Sequence, residues 1–164
     1  MKTKYFHISL VVIMSAVILS ACSVSKEARK MKHAINGNWV LETVITEGVN
    51  EKMKVKIFNE AEFGCFIGSE WNFVSKKNNG SYTIVDRQKN CPAVKRSISW
   101  SFNEIPGKPD QFLFKRLDDK NNPMDNVAGF MLTISQLDKK RMKLKSDILY
   151  EGQPASVIYN FVKH

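Results

Sequence analysis

The chain has 164 residues, of which 43% are hydrophobic and 25% are charged, and its formal net charge is +9. This composition excludes a disordered tail, a collagen-like fibre and a disulfide-dense miniprotein, because the apolar content is near average and only three cysteines are present. It is typical of one globular domain and excludes a protein with many membrane-spanning helices.

The first 21 residues have the features of an export signal. After a basic start, an apolar run extends from Ile8 to Leu19, which is shorter than the ~20 residues that a membrane-spanning helix needs. The following Leu19-Ser20-Ala21-Cys22 resembles the lipobox of bacterial lipoproteins, in which cleavage leaves the cysteine acylated with fatty acids such as palmitate. The resemblance implies a signal peptide over residues 1–21 and a membrane anchor at Cys22. An ordinary secretory signal with an incidental cysteine is the alternative.

Charge excludes one class of partner and favours another. Without residues 1–21 the chain keeps 23 basic and 16 acidic residues, a net charge of +7. An exported protein meets no cellular DNA, so we exclude nucleic acid and expect attraction to anionic headgroups or cell-wall polymers. Four basic residues close behind the anchor would each contribute ~1 kcal/mol near an anionic membrane, or form a solvated spacer: Lys26, Arg29, Lys30 and Lys32.

The residues behind Cys22 also bear on localisation. Ser23 stands where an Asp would be a retention signal, and no acidic run follows. By resemblance to lipoprotein sorting in Gram-negative bacteria, we expect the outer membrane and its periplasmic side.

Two cysteines remain if Cys22 carries lipid. Cys65 and Cys91 would then form a pair in an oxidising compartment, which predicts a disulfide, with two free thiols as the alternative.

The domain, residues 36–164, consists of short segments of alternating apolar and polar residues between turn-forming clusters. This pattern is typical of antiparallel strands with one dry face. In Ser97–Phe102, for example, every second residue is large and apolar. The segments predict eight strands, which would close as an up-and-down barrel or stack as a sandwich. In the first strand, alternation places four side chains on one face: Trp39, Leu41, Thr43 and Ile45.

Two segments lack this alternation. We interpret residues 22–35 as a polar linker that could be helical over Lys26–Ala34, and we predict a short helix over Asn59–Phe63, before Cys65.

A family resemblance decides between the barrel and the sandwich. Gly37-Asn38-Trp39 resembles the G-x-W motif of lipocalins, whose tryptophan plugs the closed end of the barrel. Together with the lipobox and the Cys65 to Cys91 spacing, it makes most of the domain similar to lipocalin-like lipoproteins of Bacteroidota. The resemblance implies an all-β, eight-stranded antiparallel up-and-down barrel that binds a small apolar molecule. One departure is that lipocalins pack an arginine over this tryptophan, whereas the last strand offers only Lys163, which leaves that contact open.

A barrel of eight strands has room for its own side chains or for one small ligand. Aromatic residues dominate the inward positions, and we predict four of them as the walls of an apolar ligand pocket, with ordinary core packing as the alternative: Trp71, Tyr82, Trp100 and Phe112. A filled barrel would instead be an interaction module that contacts an envelope polymer or a protein through its loops or through the basic strip Lys139–Lys145.

Candidate catalytic and metal-binding patterns are missing from the domain sequence. The three histidines lie in the signal segment, in the linker and at the last position, so no histidine serves as a base or ligand inside the domain. The oxygen-rich segment Asp118–Asp125 lacks the spacing of a calcium loop. We therefore predict a protein that is not an enzyme and has no metal or cofactor, and paired carboxylates at the barrel mouth are the remaining enzymatic alternative.

Overall fold

The computed structural model describes residues 25–48, 55–85, 90–124 and 129–164. The predictions for residues 1–21 and for Cys22 lie outside the described residues. The helices and strands are α1 (Lys26–Ile35), β1 (Gly37–Glu47), β2 (Lys56–Ile57), β3 (Ala61–Glu62), α2 (Phe63–Phe66), β4 (Glu70–Val74), β5 (Asn79–Ile84), β6 (Val94–Asn103), β7 (Gln111–Leu117), β8 (Phe130–Leu137), β9 (Arg141–Tyr150) and β10 (Gln153–Lys163).

Eight antiparallel strands form a closed barrel. From β4 to β10 each strand pairs with the next along the chain, and β1 closes the ring by pairing with both β10 and β4. The short strands β2 and β3 pair only with each other, as a hairpin between β1 and β4. The predicted all-β up-and-down barrel is therefore confirmed, and the sandwich is excluded.

The prediction for β1 is wrong beyond Leu41. The pairing with β10 shifts between Leu41 and Thr43, where a β-bulge reverses which side chains point inward. Val44 consequently packs against the core, and Ile45 is 50% exposed. Because both residues are apolar, the sequence pattern gives no sign of this change.

The prediction of a helix over Asn59–Phe63 is also wrong in its position. Phe58 and Asn59 have φ angles of 51° and 50°, and they form the turn of the β2–β3 hairpin. A left-handed backbone at two consecutive residues is incompatible with a right-handed helix. The short helix α2 follows instead and contains Cys65.

The predicted disulfide is confirmed. Cys65 Sγ bonds to Cys91 Sγ, with the two Cα atoms 5.3 Å apart. It joins α2 to the segment just before β6.

Helix α1 closes one end of the barrel, next to the start of β1. Ser25 Oγ accepts a hydrogen bond from the Ala28 N–H at 2.9 Å and so caps the helix N-terminus. At the other end of α1, Ile35 is fully buried, and its carbonyl oxygen accepts a hydrogen bond from Trp39 Nε1 at 2.7 Å. The segment predicted as a linker thus contacts the barrel core through Ile35.

Lys163 resolves the contact that the sequence left open. Its Nζ lies 5.1 Å from the centre of the Trp39 ring and donates a hydrogen bond to the Ala34 carbonyl oxygen at 2.9 Å. The lysine therefore joins the last strand, the motif tryptophan and the end of α1 by a cation–π contact and a hydrogen bond. Burial lowers the pKa of Lys163 below its ordinary value.

None of the helices in the described parts of the chain is both long and apolar enough to span a bilayer.

Candidate ligand site inside the barrel

The four residues predicted as pocket walls all point into the barrel and are at most 3% exposed. Trp71 stacks on Tyr82, with ring centres 4.7 Å apart, and the rings of Trp100 and Phe112 lie 6.1 Å apart. Phe73 lies between these two pairs and contacts Trp71, Trp100 and Phe112 at 5.7 to 6.1 Å. The structure thus brings the predicted residues together through direct ring contacts, and their contact with a ligand stays a prediction.

The most informative interior residue is one that the sequence did not single out. Phe58 belongs to the turn of the β2–β3 hairpin, yet it is only 7% exposed and its ring lies among side chains of the barrel wall. It stacks on Tyr159 at 5.3 Å and meets Phe114 edge-on at 5.0 Å. Three further rings lie within 6.1 Å, those of Phe66, Phe130 and Trp71.

The backbone of this turn is unfavourable for its residues. A left-handed φ at a residue other than glycine costs ~1–3 kcal/mol, and such strain persists only where surrounding contacts enforce it. Here Phe58 and Asn59 both have φ near 50°, and the Glu60 N–H donates to the Ile57 carbonyl oxygen at 3.0 Å. The packing of the Phe58 ring inside the barrel offsets this strain.

A buried ionic cluster holds the hairpin to the barrel wall. Glu60 Oε2 accepts hydrogen bonds from Tyr82 Oη at 2.8 Å, Arg96 Nε at 2.8 Å and Arg116 Nη1 at 2.9 Å. Arg96 Nη2 also donates to Glu60 Oε1 at 2.9 Å, and Arg116 Nη1 reaches the Asn59 carbonyl oxygen at 3.2 Å. We call these four side chains, Glu60, Tyr82, Arg96 and Arg116, the Glu60 cluster. It links the turn next to Phe58 to β5, β6 and β7.

Hydrogen bonding within the Glu60 cluster decides its ionisation. Burial by itself would raise the pKa of Glu60, but the hydrogen bonds from Arg96, Tyr82 and Arg116 outweigh burial and lower the pKa to about 2. Burial and the hydrogen bond to Glu60 raise the pKa of Tyr82 far above its ordinary value. At neutral pH the carboxylate is therefore ionised, and the phenol stays a hydrogen-bond donor.

Surface depressions lie on the outer side of the barrel. One of about 390 Å³ extends across β1, β4, β5 and β6 and includes the outward-facing Asn72, Ser81 and Thr83. Another, of about 460 Å³, lies across β6 and β7 and includes Ser99 and Lys115. The interior stays the predicted site for an apolar ligand, and the aromatic rings of the described residues themselves take up space there.

The other segments considered from the sequence have structural explanations. Asp118 accepts hydrogen bonds from the Lys120 and Asn122 N–H groups at 2.9 and 2.8 Å, and these bonds shape a turn. Asp125 lies outside the described residues. Within the described ranges, no group of three or more His, Cys, Asp or Glu side chains could hold a metal ion.

The basic strip has the predicted alternation. Lys143 is exposed, and its neighbours Met142 and Leu144 are buried in the barrel.

Comparisons with known proteins found structural likeness only. No family model and no curated protein matches the chain. Bovine odorant-binding protein in complex with a selenium-containing odorant is 13% identical, with a TM-score of 0.43 over 87% of this chain and 78% of that chain. The same bovine protein with its natural ligand is 11% identical, with a TM-score of 0.42 over 87% of this chain and 77% of that chain. At these scores the likeness carries no argument about ligands, and the fold assignment depends on the strand pairing described above.

Proposed function

We propose that the protein is a lipid-anchored binding protein of the bacterial envelope, whose lipocalin-like barrel takes up one small apolar molecule at the position of the Phe58 ring. The observation that carries this proposal is the position of Phe58 in the chain. Phe58 comes from a hairpin outside the barrel sheet, yet aromatic rings surround it. Moving a wall residue out of the core would disturb the strand pairing of the barrel, whereas the Phe58 ring can leave the interior without breaking that pairing, because β2 and β3 pair with each other and not with the barrel strands.

The surroundings of Phe58 indicate the class of ligand. Its neighbours are aromatic rings in edge-to-face and stacked arrangements, which favour flat apolar groups. The Glu60 cluster lies beside this position and supplies the few polar groups that small-molecule sites usually contain. We therefore expect an aromatic or other flat apolar molecule of one or two rings.

Substitution of Phe58 tests the ligand site. In the mature chain carrying Cys22→Ala, we expect Phe58→Ala to bind the fluorescent probe 1-aminoanthracene with a stoichiometry of one. The expected affinity is at least about tenfold higher than without the Phe58 substitution, because the probe replaces the missing ring. Fluorescence titration measures both quantities.

Phe161→Ala is the matched control, since it removes a buried ring that was not predicted as a pocket wall and whose described ring contact is with Trp71 and not with Phe58. If both variants bind the probe equally, the Phe58 position is no more than a cavity made by mutation. If neither variant binds it, the interior is not a ligand site.

The second candidate function is an interaction module with a filled barrel. The direct ring contacts among Trp71, Phe73, Tyr82, Trp100 and Phe112 favour it, because such contacts leave the interior to the protein's own side chains. Failure of probe binding by the Phe58→Ala variant would support this second candidate.

Fractionation of cells tests the anchor. We expect Cys22→Ala to move the protein to the soluble fraction when membranes are washed at high salt, because the acyl chains that hold it would be lost and salt screens attraction to charged headgroups. Ser23→Ala keeps the cysteine and should leave the protein with the membrane. Unchanged membrane association of the Cys22→Ala variant contradicts the anchor. Within this proposal the protein lies on the outer membrane and faces the periplasm, an orientation supported by Ser23 after the anchor and by the lack of an acidic run.

A further inference from the structure

Within the described ranges, the two ends of the barrel differ in charge. We define the closed end as α1 with its flanking residues and the three turns that adjoin it: residues 25–36, 75–78, 104–110 and 138–140. This end has nine basic and four acidic residues, a net charge of +5.

The described residues of the opposite end, which we call the hairpin end, are the β2–β3 hairpin with α2 and three further connections: residues 55–69, 90–93, 118–124 and 151–152. They include two basic and five acidic residues, and one of the acidic residues, Glu60, is paired with Arg96 and Arg116 of the barrel wall. The fold thus separates charge along the barrel axis, and the sequence alone does not show this, because the segments lie far apart along the chain.

The positive groups of the closed end are accessible. Five lysines of this end are exposed, and none of them forms an ion pair within the described ranges: Lys76, Lys77, Lys108, Lys139 and Lys140.

Three acidic side chains at the same end form ion pairs or hydrogen bonds with neighbouring residues. Glu27 pairs with Lys30 at 2.9 Å, and Glu104 accepts a hydrogen bond from Ser25 Oγ at 2.6 Å. Asp138 accepts hydrogen bonds from the N–H groups of its own turn, at Lys140 and Arg141. The surface therefore presents lysine ammonium groups to solvent.

The closed end is also where the chain arrives from the proposed anchor. Ser25 is the first described residue and lies three positions after Cys22. Three residues span at most ~11 Å even when fully extended. This is close to the Debye length of about 10 Å at 0.1 M salt, so the proposed anchor would hold the start of α1, at the closed end, within about that distance of the surface that holds the lipid.

We propose that the closed end binds anionic lipid headgroups, so that the barrel stands on the membrane with its hairpin end directed away. This orientation rests on the proposed anchor at Cys22, whereas binding to anionic lipid does not require it. The difference in charge between the two ends favours one orientation, because an anionic surface attracts the closed end more strongly than the described hairpin end. The ligand position at Phe58 would then open towards the aqueous side.

Vesicle binding without the lipid anchor tests the surface separately from the anchor. The mature chain carrying Cys22→Ser is mixed with vesicles of phosphatidylglycerol and phosphatidylcholine, or of phosphatidylcholine alone, and bound protein is measured by flotation. We expect at least about tenfold tighter binding to the anionic vesicles at low salt and loss of that difference at high salt.

Charge reversal shows whether the position of the charge matters. The closed-end variant replaces four lysines with glutamate: Lys76, Lys77, Lys139 and Lys140. The control variant replaces four lysines of the barrel wall with glutamate: Lys95, Lys115, Lys143 and Lys145. Both variants alter the net charge equally. We expect the closed-end variant to bind anionic vesicles no better than neutral ones, and the control to lose less than about threefold in affinity.

Equal loss in both variants would overturn the proposal, because net charge alone would then explain binding. A Cys22→Ser chain that does not distinguish anionic from neutral vesicles would also overturn it. Neither result touches the anchor, which the Cys22→Ala fractionation tests independently.

Discussion

Replacing Glu60 with alanine is expected to lower the free energy of unfolding by about 3–5 kcal/mol, the usual cost of removing one partner of a buried ion pair. Glu60 and Arg116 have side chains that are each 7% exposed and lie 2.9 Å apart. The substitution removes the carboxylate shared by Arg116, Arg96 and Tyr82. Urea unfolding at neutral pH, followed by tryptophan fluorescence, measures the loss.

Two variants serve as controls for this prediction. Glu62→Ala removes an exposed carboxylate two residues away, and its effect should stay within about 0.5 kcal/mol. Arg96→Ala should cost less than Glu60→Ala, because the Arg96 side chain is 31% exposed and Glu60 keeps its contact with Arg116. A Glu60→Ala variant as stable as Glu62→Ala would show that the cluster does not hold the hairpin.

The Glu60 carboxylate also makes the free energy of unfolding depend on pH in the acid range. The pKa of Glu60 falls from 4.5 to about 2 on folding, so its contribution is fully present above about pH 4.5. As the pH falls from there towards 2, the folded protein loses this part of its stability. The Glu60→Ala variant should lack that part of the acid dependence, and unfolding measured over this pH range would show it.

The barrel itself was predictable because its information is local. In β6, every second residue from Ile98 to Phe102 is apolar, Ile98 and Trp100 are buried, and serines alternate with them. One dry face on each of eight successive strands leaves few architectures, and the G-x-W motif at Gly37 and Trp39 selected the barrel. The β-bulge in β1 was not predictable, because Val44 and Ile45 fit either face equally well.

The hairpin and its buried contacts depend on distant parts of the chain. Phe58 is held by rings from β4, β7, β8 and β10, and Glu60 is held by Arg116, which lies 56 residues away. No local pattern encodes such contacts. The one local sign is Asn59, since asparagine accepts a left-handed backbone more readily than most residues and favours a turn there.

At the closed end, Lys163 occupies the position that the resemblance to the G-x-W motif would assign to an arginine. Lys163 lies opposite Trp39 in the pairing of β10 with β1, so its ammonium group reaches the indole ring. The hydrogen bond to Ala34 then fixes the last turn of α1. A cation of either type can perform this role, although a lysine lacks the planar group with which an arginine would stack.

Trp71 has the largest set of aromatic contacts that the structure describes. Its indole stacks on Tyr82 and lies 5.6 to 6.5 Å from five further rings, those of Phe58, Phe66, Phe73, Phe114 and Phe161. Its Nε1 donates a hydrogen bond to the buried Ser69 Oγ at 2.9 Å. The residue thus joins the Phe58 position to the rest of the interior.

Replacing Trp71 with alanine is accordingly expected to destabilise the protein by about 3–5 kcal/mol, the usual cost of truncating a buried tryptophan. Trp71→Phe keeps a ring but leaves Ser69 without its indole partner, so we expect a smaller loss of about 1–3 kcal/mol. Met131→Ala, at a residue that is 58% exposed on β8, should change the free energy of unfolding by less than about 0.5 kcal/mol. Urea unfolding of the three variants gives this order if Trp71 organises the interior. If Trp71→Ala is instead as stable as Met131→Ala, the rings around Phe58 do not form a cooperative core, and the ligand position would have to be sought elsewhere.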